Sequence, residues 1–149
     1  KLKDHTSRET CVNFYVSQVD AINNWDLVDL SCYKILGHWL FDKDKQLLYD
    51  WAKENHLWKQ RIAMISCMHF VKQGEFKDAL AIADLLQHHP HDLIHKAVGW
   101  ILREIGKEDE QLLVDYLTPR YKEMPRTMLR YAIERFEEEK RKAFLNSTI

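Results

Sequence analysis

The stretch Asp92-Leu93-Ile94-His95-Lys96-Ala97-Val98-Gly99-Trp100-Ile101-Leu102-Arg103-Glu104-Ile105-Gly106-Lys107 decides the fold. Leu93, Ile94, Ala97, Val98, Ile101, Leu102 and Ile105 return at helical spacing, so they make one apolar face. A second line runs beside it: Lys96, Trp100, Arg103 and Lys107, at i, i+4, i+7 and i+11. The triplet Lys96-Ala97-Val98 has counterparts in Arg61-Ile62-Ala63 and Arg130-Tyr131-Ala132, at intervals of 35 and 34 residues. That period is what one helix pair per repeat produces. The Trp, Gly, Tyr and Pro signature of tetratricopeptide repeats is absent. The expectation is therefore an all-α, HEAT-like helical repeat: a curved, right-handed stack of antiparallel helix pairs, with Arg61, Lys96 and Arg130 in a row on one concave face.

Outward from this helix, start and stop signals delimit the others. Towards the N-terminus they predict helices over 7–22, with Cys11, Phe14, Tyr15, Val19 and Ile22 on one face, and over 26–36, with Gly37 as a left-handed C-terminal residue. Further helices are expected over 45–53, over 57–72 with Gly74 as the stop, over 76–87, and over 92–105 closed by Gly106. The last ones span 108–117 and 127–136, followed by a charged tail, 137–142, that is either a short helix or frayed. The intervening connections are short, which makes consecutive helices antiparallel neighbours.

Composition agrees. With 4 Gly and 3 Pro in 149 residues there is little turn chemistry for hairpins, while 46% hydrophobic and 30% charged residues suit an ordinary folded protein. The chain is expected to form one domain over 1–149. It starts on a lysine, with a helix almost at once, so a C-terminal fragment of a longer protein is expected. No apolar run is long enough for a membrane span or a signal peptide, which makes cytoplasmic the default location. Cys11, Cys32 and Cys67 form no CxxC and leave an odd thiol, the pattern of reduced packing residues. A formal net charge of -1 is neutral on nucleic acid, because the placement of the 22 basic residues matters more than their sum.

Two constellations carry possible chemistry. In the first, the line Lys96, Trp100, Arg103 and Lys107 sets an indole among cations. Cations can neutralise phosphates and an aromatic face can meet a base or a cationic ligand, which suits nucleic acid. The plainer reading packs Trp100 against a neighbouring helix while the basic groups reach for solvent. In the second, Asn24-Trp25-Asp26-Leu27-Val28-Asp29, Asp26 and Asp29 have the spacing of a capping box. A carboxylate close to a phosphate-binding row, however, is electrostatically costly unless it has a task.

These segments, with Leu57-Trp58-Lys59-Gln60-Arg61-Ile62-Ala63, Lys96-Ala97-Val98-Gly99-Trp100-Ile101-Leu102-Arg103-Glu104 and Thr127-Met128-Leu129-Arg130-Tyr131-Ala132, resemble the AlkD-type DNA alkylation repair glycosylases in sequence and order. The resemblance runs from Trp25 nearly to the end. It implies a HEAT-like fold and hydrolytic removal of purines alkylated at N3 or N7 from duplex DNA, the opening step of base excision repair. It further implies Asp29 as catalytic carboxylate, Trp25 and Trp100 as active-site indoles, and Arg61, Lys96, Arg103 and Arg130 as DNA-binding residues. Neither cofactor nor metal is called for, the partner is duplex DNA containing alkylated purines, and a monomer is expected. The sequence departs from the family at its start, where full-length members carry further helices that complete the DNA-binding arc.

Other features have bland readings. His88, His89, His91 and His95 lie around Pro90 without the HExxH or cysteines of a zinc site, and read as a solvated turn. Trp39, Trp51 and Trp58 are placed as core. Two non-catalytic uses of the same scaffold remain open: recognition of DNA shape, and a protein-binding module.

Overall fold

The computed structural model describes residues 5–17 and 33–147. Every regular element among them is helical: α1 (His5–Ser17), a π-helical turn (Tyr33–Gly37) running into α2 (His38–Leu40), α3 (Gln46–Lys53), α4 (Leu57–Lys72), α5 (Lys77–Leu86), α6 (Asp92–Glu108), α7 (Glu110–Leu117), α8 (Arg126–Ala132) and α9 (Glu138–Leu145). The all-α helical repeat expected from the 35-residue period is what forms. Helices α4, α6 and α8 lie side by side as one row, flanked at one end by the π-helical turn, while α3, α5 and α7 pack on the row's other side.

Helix α4 is the centre of the core. Residues 60–68 are all buried, polar Gln60 and Ser66 included, because neighbours cover it on nearly every side. Helix α6 buries Ile94, Ala97, Val98, Ile101, Leu102 and Ile105, the face read from the sequence, and leaves Leu93 partly exposed at its rim. Polar bridges tie the outer helices to one another. Tyr49 Oη donates to Asp78 Oδ1 at 2.6 Å, joining α3 to α5. Tyr116 Oη donates to Asp84 Oδ1 at 2.9 Å, and Arg120 pairs with the same carboxylate, joining α7 and its following turn to α5. Burial and the neighbouring carboxylate push both phenols far above their usual range.

Several boundaries move. Gly37 is right-handed (φ -60°, ψ -46°) and the helix passes through it to Leu40; its missing Cβ matters because one would run into the Ser66 carbonyl of α4. Gly74, at φ +82°, ends α4 as expected, in a backbone conformation that glycine tolerates best. Helix α6 continues through Gly106 to Glu108, after which Asp109 N-caps α7 by accepting the Leu112 N–H. The tail forms a full helix, α9, pinned by fully buried Phe144 against Tyr121 and Phe136. In α1 the buried side is Val12 with Val16 packed behind it, while Cys11 and Phe14 are exposed, so the apolar face lies about a third of a turn from the one expected. Cys67 is buried, and Cys32 lies outside the described residues. Trp51 is core, with Trp39 and Trp58 packed against it. No helix among the described residues is long and apolar enough to cross a membrane.

Candidate nucleic-acid interface

Helix α6 positions most of the candidate site. It starts where His91 Nδ1 accepts the Leu93 N–H at 3.1 Å, an N-cap that works only with Nδ1 unprotonated. From there Lys96, Trp100, Arg103 and Lys107 follow one line. Trp100 is partly buried and packed on the core, so it satisfies the plainer packing reading while keeping part of its ring accessible.

The cations on this line are matched by carboxylates. Lys96 Nζ lies 3.1 Å from Asp92 Oδ2 and Lys107 Nζ 3.1 Å from Glu104 Oε2, both within α6. Arg103 reaches across to the turn after α8 and pairs with Glu134. The first two partners were legible as i, i+4 and i, i+3 spacings. Glu134, 31 residues from Arg103, had no local signal.

Arg61 and Arg130 occupy the same row at the two flanking helices, with opposite surroundings. Arg61, only 5% exposed, is buried between α4 and α6, where its guanidinium donates to the Leu93 carbonyl. Arg130 is exposed on α8, and its side chain forms no hydrogen bond or ion pair among the described residues. The fold thus brings the helices bearing Arg61, Lys96, Trp100, Arg103 and Arg130 together. Trp25 and Asp29 lie outside the described residues.

Close approach of α8 to α6 depends on Gly99. A Cβ there would stand 2.5 Å from Tyr131 Cβ and 2.7 Å from the Met128 carbonyl oxygen, so the residue beside Trp100 has to be small.

The histidine turn is more structured than a solvated loop. His89 Nδ1 accepts the His91 N–H at 3.0 Å, which leaves the ring proton on Nε2 to donate to Gln60 Oε1 at 2.8 Å. His95 Nε2 bonds the His89 carbonyl. Gln60 neighbours Arg61, so the turn and the arginine both clamp α6 to the start of α4. Burial, with His91 and His95 close by, holds His89 below the usual imidazole range. A separate cavity of about 240 Å³, walled by Arg8, His38, Trp39 and His69, lies at the far end of α4 and contains none of the expected site residues.

An all-α repeat with an indole set in a line of carboxylate-paired cations on one inner helix defines a helical-repeat protein. More specifically, the chain belongs to the DNA alkylation repair enzyme family, whose model matches residues 1–136. No curated protein matches it.

Proposed function

We propose that this chain is a monofunctional DNA glycosylase that hydrolyses the N-glycosyl bond of cationic N3- and N7-alkylated purines in duplex DNA, acting as a monomer. Family membership over residues 1–136 carries the reading. The partly open Trp100, set between Lys96 and Arg103 on α6, supports it.

An alkylated purine of this kind already carries a positive charge. When its C1′–N bond breaks, the electron pair neutralises the base, which departs without a general acid. Positive charge then grows on the deoxyribose. One anion held about 4 Å from it, the role assigned to the Asp29 carboxylate, would stabilise that charge by about 4 kcal/mol at an effective dielectric near 20, on the order of 10³ in rate. It also orients the water that adds to C1′ and gives up a proton. Trp25 and Trp100 hold the charged nucleotide by cation–π and sugar contacts of roughly 0.5–2 kcal/mol each. Lys96, Arg103 and Arg130 meet the phosphates. Arg61 acts from beneath the same face, bracing α4 against α6 and offering the backbone only what burial leaves accessible.

Release of free N7-methylguanine from a methylated duplex tests the reading. Asp29→Asn is expected to slow release by on the order of 10³, and equal rates would remove Asp29 from the mechanism. A protein-binding scaffold would bind DNA weakly and with little dependence on salt, whereas a phosphate-reading face loses affinity steeply as salt rises.

A further inference from the structure

The basic line on α6 does not face solvent as bare charge. Arg103 is the informative member, since its partner comes from another repeat. Its side chain is 22% exposed and sits against α8, and Glu134, 57% exposed, meets it from the turn that follows Tyr131. A carboxylate offers a guanidinium the same planar pair of anionic oxygens that a DNA phosphate offers. Lys96 with Asp92 repeats the arrangement within α6, more loosely, as the lysine side chain is more exposed than that of Arg103.

We propose that Glu134 is an internal stand-in for a DNA phosphate, one that a duplex must displace to engage Arg103. The proposal rests on the reading of α6 as the DNA-facing helix. Two consequences follow from the charge. With no DNA bound, Glu134 holds the guanidinium in place over α8, so less rotamer freedom is lost on binding. When a duplex binds, its phosphate has to take Arg103 from Glu134, and the loss of that ion pair lowers affinity for any duplex and shortens residence on undamaged DNA. The glycosylase would then spend less time on the large excess of normal sites that compete with a lesion.

Glu134→Gln keeps the shape and one acceptor oxygen and removes the charge. It is expected to bind an undamaged duplex roughly 2- to 5-fold more tightly at low salt, with the gain shrinking as salt screens the charge. In an Arg103→Ala background the same substitution should change affinity very little. Unchanged or weakened binding by Glu134→Gln overturns the proposal. So does an equal gain in both backgrounds, which would make the effect one of general charge rather than of this pair. Base release by the unsubstituted chain is measured alongside. If release is absent while the affinity gain and its dependence on Arg103 persist, the role of Glu134 stands and the glycosylase reading fails.

Discussion

Arg61 on α4 and Lys96 on α6 hold the same register one repeat apart, yet one is 5% exposed and bonded to a backbone carbonyl while the other keeps 41% of its side chain in solvent beside Asp92. The difference lies in their neighbours. Helix α4 has α3, α5, α6 and the π-helical turn around it, so a cation at its start is enclosed and becomes a brace. Helix α6 has as many neighbours, α4, α5, α7 and α8, yet Lys96 stands on a side that they leave open. Repeat register sets where a residue stands along its helix, and the sides on which neighbouring helices pack set whether it can meet a ligand.

The largest expected effect breaks that contrast directly. Arg61→Met should destabilise the fold by about 3 kcal/mol, since a buried charge-assisted hydrogen bond and its packing are lost together. Lys96→Met should stay within about 0.5 kcal/mol. Urea denaturation of the two variants measures both, and similar losses would show that enclosure does not separate them.

Gly99→Ala comes next, at about 2 kcal/mol, because the added methyl must push Tyr131 and the α8 backbone away from α6. The register equivalent on α4 is fully buried Met64, a far larger side chain at the same repeat position. Thermal unfolding reads the loss; an unchanged midpoint would mean that α8 has slack against α6.

The smallest effect concerns the clamp between α4 and α6. His89 has a lower pKa folded than unfolded, so the unfolded chain binds more protons in the window below its ordinary value near 6.5. The stability it contributes is complete above that value and is lost as pH falls through the lower folded one. The thermal midpoint should therefore drop between pH 7 and pH 5. His89→Gln should flatten the drop, and an identical pH profile in that variant would remove His89 from the clamp.

Much of the architecture was legible because it is local. The apolar face of α6, the stop at Gly74 and the recurrence of Arg61, Lys96 and Arg130 are all written in residue spacing. Errors came where contacts between helices overruled a local signal. Gly37 looked like a helix end and proved to be a place where two helices touch. The histidines around Pro90 looked solvated, yet His89 reaches Gln60 on α4, 29 residues away. For the candidate site, spacing identified the cations and the indole but not the Glu134 partner of Arg103.

By itself, then, the sequence determined the helical class, the repeat period and the register of the basic residues, since each follows from periodicity within about one turn or one repeat. Tertiary structure alone decided which of those residues are enclosed, which are paired and which are open. Burial and ion pairing depend on side chains brought together from distant helices, and no spacing within a single helix encodes them.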